Sequence, residues 1–283
     1  MHTSLKVIHA ENGVALIQFI AGHLGLSRNK AKGIIDQRRV FVNGRRVWMA
    51  RHRLKTGDII TGFLGLEQPA GERPIPVIYE DNDYLIVDKP AGIESNGKDS
   101  VEELLNKQAG SKTVTACHAP CMACHRLDQD TSGCLIFAKH LAAKERIIPL
   151  FASHKIIKFY QTIVTGHLTE KSFSITKPLE GQKAVTHVQV TDTTPAASHV
   201  SVQIETGRMH QIRKHLASIG HPVLGDQQYG GNRAASPLER SIPRQMLHAA
   251  EIKFTQPFSG LPVHGKSPLP ADIRDCLQKY HLK

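Results

Sequence analysis

Between His125 and Gly133 the chain reads His125-Arg126-Leu127-Asp128-Gln129-Asp130-Thr131-Ser132-Gly133. The polar side chains are too dense for a core segment, yet apolar runs flank them, so charge is held against the body of a fold. A carboxylate in that setting can attack an electrophile as a nucleophile or take a proton as a general base. Leu135-Ile136-Phe137-Ala138 follows as a short apolar strand, which puts Asp128 in a turn entering it. The stretch reads as an active-site turn built around Asp128, with Thr131, Ser132 and Gly133 shaping the backbone.

A second group capable of chemistry lies just upstream. Cys117, Cys121 and Cys124 are bracketed by His118 and His125. Cys121-Met122-Ala123-Cys124-His125 fits haem attachment, but that chemistry needs an exported protein and no leader is evident. The cysteine spacing also fits the cluster loop of radical-SAM enzymes, although no repeating strand-helix barrel pattern follows. Zinc would need a second Cys/His pair at finger spacing, and none is present. The remaining reading is a variable loop with reduced thiols, no metal and no cofactor. Five cysteines, an odd count, argue against a disulfide framework.

These groups must be positioned by a chain of 283 residues and 31.2 kDa, long enough for about two domains. The net charge of +11 favours a polyanionic partner. Residues 1–62 carry 11 Lys+Arg against 3 Asp+Glu, a net +8, while the remainder carries 25 against 22, a net +3. The basic excess thus sits in a module of its own. Val14 to Leu26 is the most apolar N-terminal run, but Gln18 and His23 interrupt it and it is too short to span a bilayer. A cytoplasmic protein with no membrane contact is expected.

In the basic module Ala15, Leu16, Phe19 and Ile20 recur at helical spacing, and Ser27 can cap a second helix carrying Arg28, Lys30 and Lys32 over a stripe of Ala31, Ile34 and Ile35. Val40-Phe41-Val42, the turn Asn43-Gly44 and Arg45-Arg46-Val47 predict a hairpin, and Gly57-Asp58 introduces a last strand at Ile59-Ile60. Residues 13–62 resemble the alpha-L RNA-binding domain of the type found in ribosomal small-subunit protein S-four. The match is carried by Ser27-Arg28, Ala31, Ile34-Ile35, Arg38-Arg39-Val40, Val42-Asn43-Gly44 and Lys55-Thr56-Gly57-Asp58. It implies that Arg28, Lys32, Arg38 and Arg39 face RNA phosphates, contacts that give salt-sensitive affinity without reading sequence.

Residues 63–76, with Gly65, Pro69, Gly71, Pro74 and Pro76, read as a linker. Beyond it Val77-Ile78-Tyr79 and Leu85-Ile86-Val87 predict strands around an acidic turn, and Val101 to Leu105 a short helix. Lys155 to Val202 alternates strands and turns. Gln211 to Ile219 fits an amphipathic helix, residues 230–245 a surface loop, and Ala271 to Tyr280 a last helix. The expected division is 1–62, a linker at 63–76, and 77–283.

His125-Arg126-Leu127-Asp128, two further residues and Thr131-Ser132-Gly133 resemble the signature of the RluA-type RNA pseudouridine synthases. Further blocks match in order: Leu85-Ile86-Val87-Asp88-Lys89-Pro90-Ala91-Gly92, Lys158-Phe159-Tyr160, Thr206-Gly207-Arg208-Met209-His210-Gln211-Ile212-Arg213, Gly220-His221-Pro222 with Gly225-Asp226, and Leu247-His248-Ala249. The resemblance spans about residues 75–265. It implies an α+β domain with a mixed, mostly antiparallel sheet and a central active-site cleft.

The resemblance also implies roles. Asp128 acts on the nucleotide, as nucleophile or as base. Arg213 pairs with Asp128 and keeps it ionised. Tyr160 stacks on the uracil, and its phenol could help remove the carbon-five proton. Arg126 fills the space left by a uridine flipped out of its stack. No cofactor is needed. The partner is RNA, with large-subunit ribosomal RNA preferred and transfer RNA the other candidate, and a monomer is expected. The competing reading is a ribosome-assembly factor on the same fold that binds RNA without catalysis. Two departures stand out: Met209 where the family usually has threonine, and Ile93-Glu94-Ser95-Asn96 in place of its His-Pro turn. Neither falls on Asp128, Tyr160 or Arg213, so substrate preference is the property they bear on.

Overall fold

The computed structural model describes residues 3–36, 40–62, 75–108, 120–230, 239 and 242–283. They fall into two compact units, one drawn from residues 1–73 and 232–243, the other from 74–231 and 244–283. No helix among the described residues is long and apolar enough to cross a membrane.

The N-terminal unit contains β1 (Thr3–Lys6), α1 (Leu16–His23), α2 (Arg28–Asp36), β2 (Val40–Val42), β3 (Arg45–Arg46) and β4 (Ile59–Gly62). The helices form because Leu16, Phe19 and Ile20 on α1 and Ala31 and Ile35 on α2 meet in one core with Val40, Leu54 and Ile60. Ser27 Oγ accepts the Lys30 N–H at 3.3 Å, a long N-cap bond that marks the start of α2. Asn43 and Gly44 both take positive φ, 52° and 77°, as a two-residue hairpin turn requires. The sheet order is β1-β4-β2-β3; the pairing of β1 with β4 had no counterpart in the sequence reading.

The second unit is built on a ten-stranded sheet. Its strands are β5 (Val77–Glu80), β6 (Tyr84–Lys89), β7 (Met122–Ala123), β8 (Ser132–Ala138), β9 (Ile157–Thr165), β10 (Ser172–Ile175), β11 (Thr186–Thr193), β12 (Ala197–Ile204), β13 (Leu247–Thr255) and β14 (Pro262–Lys266). The main path runs β10-β11-β12-β9-β13-β8-β6-β5, with β14 added to β13 and β7 to β8. Only β8 and β13 pair in parallel among the described strands, so the sheet is mixed and mostly antiparallel, as expected.

Both faces of β6 and β8 are covered, which is why their sequences are continuous apolar runs rather than alternating ones. Leu85, Val87, Leu135 and Phe137 face a core shared with α3 (Val101–Gln108) and α5 (Gln211–Ser218). Tyr84, Ile86, Cys134 and Ile136 face the opposite core under α4 (Leu141–Ala152). The chain closes with α6 (Ala271–Lys279). Ile75 is already part of the first of these cores, while 63–74 of the expected linker lie outside the described residues.

One expectation fails here. Residues 230–245 were expected to form a surface loop, but Ile242, Arg244 and Gln245 are all buried. Arg244 is drawn in by Asp272 of α6, whose carboxylate accepts from its Nε at 2.6 Å and its Nη2 at 2.9 Å. Residues 231–238, 240 and 241 lie outside the described ones.

Candidate active site

The turn that carries Asp128 is closed by the Thr131 N–H donating to the Asp128 carbonyl at 3.0 Å, and its backbone is held from three sides. From β6 comes Lys89, fully buried, whose Nζ donates to the carbonyls of Pro90, Gln129 and Thr131 at 3.0, 2.9 and 2.8 Å. Burial pulls this lysine down to about 7, with the charge of Asp130 opposing the shift. From the loop after β6, Ser95 Oγ donates to the Leu127 carbonyl at 3.0 Å and accepts the Leu127 N–H at 2.9 Å. From the C-terminal side, Arg244 Nη1 donates to the Asp130 carbonyl at 2.9 Å.

Gly133 explains why the turn leads straight into the sheet. It sits opposite Ala249 in the parallel pair, at φ +111°, and a Cβ there would lie 2.2 Å from the Ala249 carbonyl oxygen. Only glycine permits that approach. Ser132 and Gly133 are therefore residues of β8 rather than of the turn. His125 enters on the other side. Its Nε2 accepts the Ile136 N–H at 3.1 Å and its ring lies 5.1 Å from Phe151. Burial pushes it down to about 3, with Lys158 adding to the effect, so it is a neutral acceptor that pins the turn to β8.

Arg213, on the first turns of α5, meets Asp128 across this turn. Its Nη1 donates to Asp128 Oδ2 at 2.9 Å. Its Nε and Nη2 donate to Asp226 at 2.6 and 2.9 Å, and the guanidinium lies 5.0 Å from the Tyr229 ring centre. Burial pulls the guanidinium down, but the bonds and charge of Asp226, with Asp128 behind them, outweigh burial and leave it raised. A permanent cation thus stands beside a carboxylate that remains one-quarter open to solvent. His210 Nε2 is 3.8 Å from Asp128 Oδ1, and its Nδ1 is 3.0 Å from the Tyr229 hydroxyl. Burial lowers His210 while Asp128 opposes the shift.

Tyr160 completes the group. It lies on β9 opposite Ala249, which in turn lies opposite Gly133, so one row across three strands links it to the turn. It is buried, and burial followed by the Asp128 charge raises its phenol well above the ordinary value. Such a phenol keeps its proton at neutral pH.

Comparison with known proteins identifies the family and the fold. Residues 83–218 match the family model described as RNA pseudouridylate synthase, and residues 18–60 match the S4 domain. An uncharacterized RNA pseudouridine synthase of Chlorobaculum parvum is 33% identical, covering 90% of this chain and 90% of its own length. A protein of Zymomonas mobilis named ribosomal large subunit pseudouridine synthase D is 33% identical over 88% of each chain. The chain belongs to the RNA pseudouridine synthase family. Its fold is shared with the solved structure of human RNA pseudouridylate synthase domain containing 4, at a TM-score of 0.64, 22% identity and coverage of 74% of this chain and 94% of that one.

The other expected site residues of this pseudouridine synthase are Arg126, in the second unit, and four cations of the N-terminal segment. Arg126 is exposed two residues before Asp128. Arg28 and Lys32 are exposed on α2 in the S4 domain. Arg38 and Arg39 lie outside the described residues, as do Cys117 and His118.

The thiols depart from expectation at one place. Cys124, Cys134 and Cys276 are free, but Cys121 is disulfide-bonded, where reduced thiols were expected. Burial raises Cys124 and Cys134 to about 12, so neither is a ready thiolate. No group of three His, Cys, Asp or Glu side chains among the described residues could hold a metal ion.

Sequence alone does not single out Asp226, Tyr229, His210, Lys89 or Arg244 as neighbours of the Asp128 turn. Asp226 was within reach, because Gly225-Asp226 belongs to a matched block, and an arginine aimed at one carboxylate needs a second to orient it. The two departures also acquire a place. Ser95 grips the backbone beside Asp128. Met209 is exposed, and its loop is held instead by Gln211 Oε1, which accepts from Thr206 Oγ1 at 2.7 Å and from the Arg208 N–H at 3.1 Å.

Proposed function

We propose that this enzyme isomerises specific uridines of structured RNA to pseudouridine at the Asp128 site, without a cofactor, and that its substrate is large-subunit ribosomal RNA. The reaction breaks the bond between ribose and ring nitrogen one, turns the uracil, and rejoins it through carbon five, whose proton leaves while nitrogen one gains one. Atoms balance, and no redox partner is required. The carrying observation is the ion pair of Asp128 with an arginine that Asp226 already holds. That pair aims the Asp128 carboxylate and sets a cation beside it, whether it attacks the nucleotide or takes a sugar proton. Tyr160 stacks on the uracil. To accept the carbon-five proton it would first have to lose its own, which burial and the Asp128 charge oppose, so stacking is the role these electrostatics favour.

The target uridine must leave its stack, at a cost of a few kcal/mol. Arg126, exposed beside the turn, fills the vacated position. Residues 1–62, with Arg28, Lys32, Arg38 and Arg39, hold the RNA through its phosphates, the linker follows and ends before Ile75, and the chain from there to 283 carries the chemistry. Ribosomal RNA is preferred because several relatives are named for the large ribosomal subunit. A monomer working in the cytoplasm is consistent with such a substrate.

The deciding experiment incubates the purified protein, and its Asp128→Asn variant, with unmodified large-subunit ribosomal RNA and transfer RNA transcripts and maps pseudouridine by base-specific chemistry. Conversion at one or a few ribosomal sites by the wild type alone is the expected result. Product from Asp128→Asn would remove Asp128 from the chemistry. No product from the wild type on either RNA would favour an assembly factor that only binds.

A further inference from the structure

The one tryptophan of the chain is Trp48, in the N-terminal unit. Its indole is 59% exposed, and Met49 beside it is 60% exposed. Tryptophan is rarely left this exposed, since it is highly buried on average. The loop that presents it is firmly held. Val47 N–H donates to the Val40 carbonyl at 2.8 Å, His52 N–H to Met49 at 2.9 Å, Ile17 N–H to Ala50 at 3.0 Å, and Leu16 N–H to His52 at 2.8 Å. The dipeptide is therefore clamped between the hairpin and α1 and displayed outward.

Its surroundings are cationic. Arg51 and Arg53 follow within five residues and are exposed, and Arg53 Nη1 is steadied by the Gly13 carbonyl at 2.7 Å. Two acidic side chains of this unit are engaged elsewhere: Glu11 pairs with His23, and Asp58 accepts from Asn43 Nδ2 and the Lys55 N–H. An exposed aromatic ring flanked by arginines suits a strand of alternating phosphates and flat bases. It suits a second copy of the same basic face poorly, because like charges would meet.

We propose that Trp48 is a stacking platform for an unpaired base of the RNA substrate, with Arg51 and Arg53 on the flanking phosphates. The proposal rests on the reading of this unit as an RNA-binding module and adds to it a preference. Phosphate contacts from α2 serve paired and unpaired RNA alike, whereas an indole needs a base with a free face, which a duplex interior does not offer. The module would then dock where a loop or bulge adjoins a helix.

The single tryptophan makes the test direct on the full chain. Binding of a dye-labelled, unstructured oligouridine and of an RNA duplex is followed by anisotropy, and indole emission is read in parallel with the unlabelled RNAs. The expected result is quenching by oligouridine and not by duplex. Trp48→Ala should weaken oligouridine binding by about 5- to 150-fold while duplex binding is unchanged, and Trp48→Phe should restore most of the loss. Oligouridine binding with unchanged emission, or equal affinity in Trp48→Ala, would overturn the stacking site and leave the module reading intact. Failure of the full chain to bind either RNA would remove both. An emission change that tracks protein concentration, with dimers in sedimentation, would assign the face to a second copy and also overturn the proposal.

Discussion

Arg213 grips Asp226 through two nitrogens, Nε at 2.6 Å and Nη2 at 2.9 Å, and this two-point hold leaves Nη1 pointing at Asp128. Asp226 has no exposed side-chain surface. Removing its charge would leave a buried guanidinium with one carboxylate instead of two. Asp226→Asn is expected to lower stability by about 3 kcal/mol and to reduce kcat much more than it raises KM. Denaturant unfolding with steady-state kinetics checks both. An unchanged kcat would mean that Asp128 is aimed without the fork.

Gly133 offers a sharper steric test. With a Cβ 2.2 Å from the Ala249 carbonyl and φ at +111°, Gly133→Ala must part β8 from β13 or distort the chain. The expected cost exceeds about 3 kcal/mol, seen as a lower urea midpoint. Activity should fall with it, since Asp128 is carried on the same segment.

His125 predicts a pH dependence. Burial holds it at about 3 in the folded protein, against about 6.5 in the unfolded chain. Between those values the unfolded chain binds a proton that the folded one refuses. Its contribution to stability is therefore complete above pH 6.5 and is lost as pH falls toward 3. His125→Gln keeps an acceptor for the Ile136 N–H but does not titrate. The variant should show a flatter loss of stability over that range, by up to about 5 kcal/mol, in unfolding curves measured across pH. Parallel curves for the two proteins would contradict the assignment.

The S4 domain has its own signature in salt. Arg28→Gln and Lys32→Gln together should weaken RNA binding and reduce the slope of log affinity against log salt by about one per lost phosphate contact. Single-turnover conversion at saturating RNA should not change. A slope equal to wild type would take α2 out of the interface.

What could be read from the sequence was what neighbours in sequence determine. The helices α1, α2 and α5 follow from apolar spacing, the Asn43-Gly44 turn from its two residue types, and the Asp128 turn from a dense polar run before an apolar strand. Long-range partners escaped. Arg244 sits among Pro, Ser and Gly residues that read as loop, and what buries it is Asp272, 28 positions on. β1 acquires its role only from β4. Within α4, exposed Leu141 and Ile148 and an internal Pro149 blur the apolar stripe, so that helix left little trace in the pattern. The disulfide at Cys121 likewise depends on geometry that residue spacing does not encode.

The parallel pairing of β8 with β13 has a consequence for biosynthesis. Ser132 meets His248 from 116 residues away, and the turn is braced by Arg244, which itself waits for Asp272 on α6. The S4 domain needs nothing beyond β4 for its sheet. At ordinary translation speeds that sheet is synthesised roughly 10–40 s before the last brace emerges. During that interval the nascent chain has the strands of its S4 sheet but not the residues that brace the Asp128 turn, so order of synthesis separates the two halves of the enzyme in time.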